Sequence, residues 1–300
     1  MIEPVKIGVA LDCDYTVFSA MSAAEKEEDW GDDIWTLQCD HKDARRRLND
    51  THKSILKAIE IELKKTNKKP FELVPICVLS GVGNWRKDVL DTYKANRKGK
   101  RKPVGYPDFC QSLKDYFMSL NGQVFQWDGV EGDDVIGILM TKPELAGCKL
   151  VIGASCDKDF KTIPGLFFWM TEWTLLRHTE AEANNWHMYQ TVMGDTTDGY
   201  GGIPGAGKVS GQEYLDNPQM YVSEPYTITR GKRKGEEDIR WIARDMEEGE
   251  TEWDCLVSFA AKQGMSEEDL IVQAQVARIL RASDWDFENS KPILWQPTKA

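Results

Sequence analysis

The chain has 300 residues, 41% of them hydrophobic, with eleven Trp and a net charge of −11. That length suits one large domain or two ordinary ones with a real core. The acidic balance excludes a protein that simply coats nucleic acid, and no apolar run approaches the ~20 residues of a membrane span. The N-terminus has no signal-peptide pattern, so the Asn49-Asp50-Thr51 sequon is read as idle. Seven Cys, at 13, 39, 77, 110, 148, 156 and 255, never fall in a C-x-x-C spacing. They are read as free thiols of a reducing compartment, and Cys39-Asp40-His41 alone is a weak zinc signal.

In chain order, residues 5–11 read as a short apolar strand closed by Asp12-Cys13-Asp14. Ligand and catalytic groups in open α/β sheets gather at the carboxyl ends of strands, which suits Asp12. A surface acid closing a strand is the plain alternative. Residues 41–65 carry Leu48, Ile55, Ile59 and Leu63 as the stripe of an amphipathic helix. Residues 73–79 form a second predicted strand, with Pro75 pointing to a sheet edge. Residues 86–102 hold eight Lys or Arg against two Asp, with Trp85 and Tyr93 nearby. This is either a solvated basic loop or a phosphate-contacting arm whose aromatics stack on bases.

A helix over 106–120 and a strand over 123–127 lead into Glu131-Gly132-Asp133-Asp134. Val135 with Leu139, and Ile136 with Met140, then mark the buried face of a helix. Glu131 and Asp134 would share a face of it, with Asp133 pointing elsewhere unless it belongs to the preceding turn. Acids suit a helix N-terminus, but clustered like charges repel unless a cation sits between them. Residues 149–155 are the clearest strand and end in Cys156-Asp157-Lys158-Asp159. Residues 166–170 are strand-like and 186–193 form a short helix. Residues 202–209 nearly spell a P-loop, but Val209 stands where Ser or Thr must hold magnesium, and no strand precedes. The better reading is a glycine-rich hairpin between two helices, its N–H groups facing a phosphate. Residues 227–242 read as a β-hairpin with a basic, solvated tip. Residues 251–263 form a helix stopped by Gly264, and Ser266 caps another running to about 281. The change near residue 185, from alternating strands and helices to mostly helices, places a domain boundary there.

Asp12, Glu131, Asp133, Asp134, Asp157, Asp159, Asp195 and Asp198 come from four separate segments. Oxygen donors without His or Cys suit Mg²⁺ or Mn²⁺. Two such ions about 3.5–4 Å apart would clamp the attacking and leaving oxygens of a phosphodiester.

With Ser155-Cys156-Asp157-Lys158-Asp159-Phe160 and Gly194-Asp195 through Gly207-Lys208, the chain resembles the structure-specific 5′-nuclease (flap endonuclease) family. Within it, the likeness is to the 5′→3′ exonucleases of short-tailed, teseptimavirus-type phages, and it covers nearly the whole chain. The resemblance implies an α/β fold: a twisted, largely parallel central sheet flanked by helices, a helical arch, and a C-terminal helical lobe with a helix-hairpin-helix. It implies a catalytic domain over 1–185, with a basic arch at about 84–105, and a DNA-binding domain over 186–300. Asp12, Glu131, Asp133 and Asp134 would serve one metal, and Asp157, Asp159, Asp195 and Asp198 a second. Asp14 is left open. Lys94 and Arg97 would lie near the scissile phosphate, with Arg86 close. Lys98, Lys100, Arg101 and Lys102 of the arm would contact DNA, as would Gly202, Gly205, Gly207 and Lys208, the last group around a K⁺ ion.

The implied activity is a two-metal, Mg²⁺-dependent 5′→3′ exodeoxyribonuclease on duplex DNA that also degrades RNA in RNA–DNA hybrids. Its roles would be primer removal, recombination and host-DNA breakdown. Its setting would be the host bacterial cytoplasm, beside phage replication proteins and away from membranes. The alternatives are a PIN-like ribonuclease and a non-catalytic DNA-binding protein. One departure stands out: Gly81 falls where many relatives carry an Asp. On that register Gly81→Asp is expected to keep activity and to lower the Mg²⁺ needed for half-maximal rate, with Asp14 or Asp88 as substitutes for the missing acid.

Overall fold

The computed structural model describes residues 3–66, 69–119 and 122–298, without the side chains of Lys208 and Ser210. Strand β1 (Val5–Asp12) buries its last six residues. It runs parallel to β4 (Phe71–Val78) on one side and to β6 (Leu150–Ser155) on the other. Beyond β4 lies β5 (Gln123–Phe125), and beyond β6 lies β7 (Gly165–Trp169), both parallel. An antiparallel strand, β8 (Thr174–His178), completes the order β5-β4-β1-β6-β7-β8. The winding reverses at β1, so the crevice outside the carboxyl ends of β1 and β6 is the topological switch point of the sheet. Strand β4 is interior, not the edge that Pro75 suggests. Strand β5 pairs only with residues 76–78, so the missing N–H of Pro75 falls where that neighbour has not begun.

Helix α1 (Cys13–Ser22) follows β1 at once, capped by the Asp12 carboxylate, which accepts the Tyr15 N–H at 3.0 Å. A hairpin of β2 (Glu25–Asp29) and β3 (Trp35–Cys39) comes next. It has no counterpart among the elements read from sequence. Helix α2 (His41–Thr66) buries Leu48, Ile55, Ile59 and Leu63, the expected stripe. They pack with Leu11, Cys77 and Ile152 of the sheet and with Phe109 and Leu113 of α4 (Tyr106–Ser119). Residue 120, the expected end of that helix, lies outside the described residues. Helix α5 (Gly132–Thr141) is buried along most of its length, and β11 (Trp285–Asp286) pairs with β12 (Lys291–Pro292).

The chain divides into two compact units. The first comprises Met1–Trp85, Arg97–Asn184 and Ile279–Ile293, and contains the sheet. The second comprises Arg86–Asn96, Asn185–Arg278 and Leu294–Ala300. A single cut near residue 185 would leave 86–96 with the sheet. Those residues group with the second unit because Tyr93 packs against Tyr200, Val276 and Ala277. The second unit holds α3 (Arg86–Val89), most of α6 (Glu180–Met193), α7 (Lys208–Asp216), the ribbon of β9 (Met220–Thr227) and β10 (Glu237–Arg244), α8 (Glu252–Lys262) and α9 (Glu267–Ala277). Thr251 caps α8 and Ser266 caps α9, which ends four residues short of the expected 281. Among the described residues no helix is long and apolar enough to cross a membrane.

Gly81, just after β4, donates its N–H to the Val130 carbonyl at 3.3 Å. A Cβ there would sit 1.9 Å from the carbonyl oxygen of Trp127. The close backbone crossing leaves no room for a side chain here and speaks against the register that offered this position to an Asp. We expect Gly81→Asp to cost about 2–3 kcal/mol of stability, roughly 5 °C in Tm. Calorimetry checks this, and an unchanged Tm would show that the crossing can open.

Candidate functional site

The carboxyl ends of β1 and β6 meet through their side chains. Asp12 is 8% exposed, and its second carboxylate oxygen accepts the Ser155 hydroxyl at 2.7 Å. Ser155 Oγ in turn accepts the Asp157 N–H, and the Asp157 carboxylate accepts the Asp159 N–H at 2.8 Å. Two residues past Asp12, Asp14 accepts both the N–H and the hydroxyl of Ser80 at 2.8 and 2.6 Å. Ser80 Oγ also accepts the N–H of Gly132 at the start of α5, which brings Asp14 to the helix that opens with Glu131 and Asp133. Asp14, left open in the sequence, is thus a fourth acid of this crevice beside Asp12, Glu131 and Asp157. Its signal was the i, i+2 pair of acids at a strand end.

The charges feel one another. Burial lifts Asp12 to a pKa of about 6; the Tyr15 N–H and Ser155 hydroxyl oppose that, and the charges of Asp14 and Asp157 add to it. Burial also raises Asp14, with Ser80 and then the Lys102 ammonium pulling it down and Glu131 pushing it up. Among the described residues no three His, Cys, Asp or Glu side chains already form a cation cage. The inner carboxylates rest on local N–H and O–H donors. Their chemistry, oxygen alone, fits a hard divalent cation. Cys39 and His41 turn to different partners, the Met21 and Val104 carbonyls, and all seven cysteines are free thiols.

Several expected site residues have other surroundings. Asp134 is fully buried. Its oxygens accept Trp85 Nε1–H, the Glu131 N–H and the Leu280 N–H at 3.2, 3.3 and 3.0 Å. It turns back to the Glu131 backbone at the start of α5 and ties that helix to the segment after Arg278. Arg86 is only 2% exposed. Its guanidinium donates to the Val276 and Arg278 carbonyls at 3.0 and 2.6 Å and lies over the Tyr93 ring. It therefore closes the C-terminus of α9, where carbonyls lack helical partners, rather than facing a phosphate. Arg101 forms a two-point pair with Glu25 of β2 at 2.7 Å, and Glu25 also accepts the Val104 N–H. That pair pins the end of the arm. The Gly202 N–H is buried and donates to Gln273 Oε1, and a Cβ there would meet backbone at 2.4 Å, so this glycine serves packing. Gly205 and Gly207 remain exposed, and the side chain of Lys208, at the start of α7, lies outside the described residues.

In the second unit residues 92–96 of the arm and the loop at 195–200 are bolted together. Lys94 adopts a left-handed φ of 50° and donates its N–H to the Asp198 carbonyl at 2.7 Å. Its ammonium lies 3.5 Å from the Asp198 carboxylate, which also accepts the Tyr93 hydroxyl. Asn96 and Thr92 donate to the Thr197 and Gly199 carbonyls. Asp195 shapes the loop by accepting the Thr197 N–H. Arg97, in a single turn of 3₁₀ helix, and Lys98, Lys100 and Lys102 are exposed, and Lys102 rests over Tyr106.

A doubly wound, largely parallel sheet with acids gathered at its switch point defines an α/β protein with an acidic crevice where such folds place their ligands. A family model described as the 5′-3′ exonuclease, N-terminal resolvase-like domain, matches residues 44–182. The chain is 42% identical to the exonuclease of Escherichia phage T7 over 296 residues, which cover 96% of this chain and 93% of that one. It is 40% identical to the exodeoxyribonuclease of Enterobacteria phage T3, covering 96% and 92%. The phage T5 D15 protein, co-crystallised with metal ions, shares the fold, with a TM-score of 0.51 at 17% identity over 90% of this chain and 93% of that one. The chain belongs to the family of phage 5′-3′ exonucleases.

Arg86 yields a test of position against catalysis. Arg86→Ala leaves two carbonyls without a charged donor, worth about 1.5–3 kcal/mol each. Arg86→Lys, a single point charge, cannot bridge both. We expect both variants to melt several degrees below wild type by calorimetry; a wild-type Tm with abolished cleavage would return Arg86 to the chemistry.

Proposed function

We propose that the protein is a divalent-cation-dependent 5′→3′ exonuclease on duplex DNA that also accepts the RNA strand of an RNA–DNA hybrid. The observation that carries this reading is the bond between Asp12 and Ser155, which sets Asp12 of β1 beside the segment after β6 that carries Asp157, at the switch point. Asp12, Asp14, Glu131, Asp133, Asp157 and Asp159 would hold Mg²⁺ or Mn²⁺. The resemblance adds Asp195 and Asp198 as candidates on their own loop, and K⁺ at the glycine hairpin. A bound divalent cation supplies charge to the phosphodiester and lowers the pKa of an attacking water.

The chain's own residues then have separate tasks. Ser155 and Ser80 orient Asp12 and Asp14. Asp134, its oxygens engaged with N–H groups, positions the start of α5 and so the side chains of Glu131 and Asp133. We assign Lys94 and Arg97 to the phosphate whose negative charge grows in the transition state, where preorganised cations are worth about 10²–10³ in rate each. Asp198 and Tyr93 hold Lys94 ready for it. Lys98, Lys100, Lys102, Gly205 and Gly207 would bind backbone phosphates through charge and N–H groups. Primer removal, recombination and host-DNA breakdown in the host bacterial cytoplasm, beside phage replication proteins, are the roles that fit.

A 5′-labelled duplex tests the reading. Nucleotides should leave from the 5′ end with Mg²⁺ and stop with EDTA. Asp157→Asn should lower the rate by several orders of magnitude at an unchanged Tm. Cleavage in excess chelator, or a near-wild-type rate for folded Asp157→Asn, would overturn it.

A further inference from the structure

The ribbon of β9 and β10 is the one long two-stranded element of the second unit among the described residues. Its eight register pairs run from Met220 opposite Arg244 to Thr227 opposite Glu237. At about 3.3 Å per residue it extends roughly 25 Å. A two-stranded hairpin alone is marginal in water, so something must hold its base. Here Tyr221 stacks with Tyr214 of α7 and Phe259 of α8, and its N–H donates to Ser258 Oγ at 2.9 Å. Tyr214 and Phe259 are themselves stacked at 4.6 Å. The same apolar cluster includes Ile203 and Ala206 of the glycine hairpin. The ribbon and that hairpin therefore stand on one foundation.

Away from the base the ribbon is exposed. Ile239 is 63% exposed and Tyr226, Val222 and Ile242 are open to solvent. The stem is charge-balanced, with Arg240 paired to Glu224 at 3.1 Å. The tip is not. Arg233 folds back onto Glu236 and Asp238 at 2.8 and 3.2 Å and fixes the turn. Arg230, Lys232 and Lys234 project from it, exposed and in no ion pair among the described residues. Three such cations together on a chain of net charge −11 mark a place for a polyanion. A two-stranded ribbon also matches the major groove of duplex DNA, about 12 Å wide.

We propose that this ribbon is a second duplex-DNA contact, with Arg230, Lys232 and Lys234 on phosphates along the groove. It would add affinity without entering the chemistry. The proposal rests on the duplex-nuclease reading above.

Two variants of the full chain test it: R230E/K232E/K234E, and a chain in which residues 228–236 are replaced by Asn-Gly, a two-residue loop that closes a β-hairpin. Affinity is measured in EDTA, over a salt series, for one duplex and for single-stranded DNA of the same length, beside Tm. Both variants should melt like wild type. Both should bind the duplex about tenfold or more weakly at low salt, and the slope of log affinity against log salt should fall by roughly 0.9 for each phosphate no longer neutralised. Single-stranded binding should change far less. Wild-type duplex affinity and slope in both variants, or equal weakening on single and double strands, would overturn the ribbon proposal alone. A wild-type chain that fails to bind duplex at all would overturn the nuclease reading and the ribbon with it.

Discussion

One hydrogen bond organises the site: Ser155 Oγ to Asp12, 2.7 Å, across the ends of β1 and β6. It exists because the sheet winds away from β1 in both directions, leaving the two strand ends adjacent with no helix between them. The bond steadies a carboxylate that burial, with the charges of Asp14 and Asp157 adding to it, lifts to a pKa of about 6. Crowding like charges is unfavourable unless a cation neutralises them, and that tension gives the crevice its chemical character.

The rest of the first unit serves that crowding. Asp14 is held by Ser80, Ser80 also takes the N–H at the start of α5, and Asp134 anchors the same helix from beneath. The buried acid and the outward acids of one motif thus divide between support and site. A parallel division runs through the second unit. Arg86 is spent on the end of α9, and Lys94, eight residues on, is kept at the 195–200 loop by Asp198. In both units a charged side chain out of water is matched by several donors or acceptors, as burial requires.

How much of this could be read in the sequence follows from what each signal depends on. The strands at 5–12 and 150–155 and the stripe of α2 were legible, since their burial follows local periodicity. The acids at strand ends were legible for the same reason. The fates of Asp134, Arg86, Arg101 and Gly202 were not, because each is decided by a partner far along the chain: Leu280, Val276, Glu25 and Gln273. A charge pattern shows which residues can bind phosphate or metal, not which have already been claimed by backbone. Gly81 failed similarly, because its neighbour Trp127 is brought there only by the β4–β5 crossing. The β2–β3 hairpin was missed because β2 is wholly charged and mostly exposed; β3, Trp35-Thr36-Leu37-Gln38-Cys39, does alternate apolar and polar residues, a signal that could have found it.

The central claim is that the carboxylates at the ends of β1 and β6 make a cation site. Crystals of the wild-type chain soaked in Mn²⁺ test it most directly, through anomalous diffraction at the manganese edge. The account predicts a peak in the crevice lined by Asp12, Asp14, Glu131 and Asp157, absent from crystals of Asp12→Asn. A peak only elsewhere, or one that survives that substitution at full height, would contradict it.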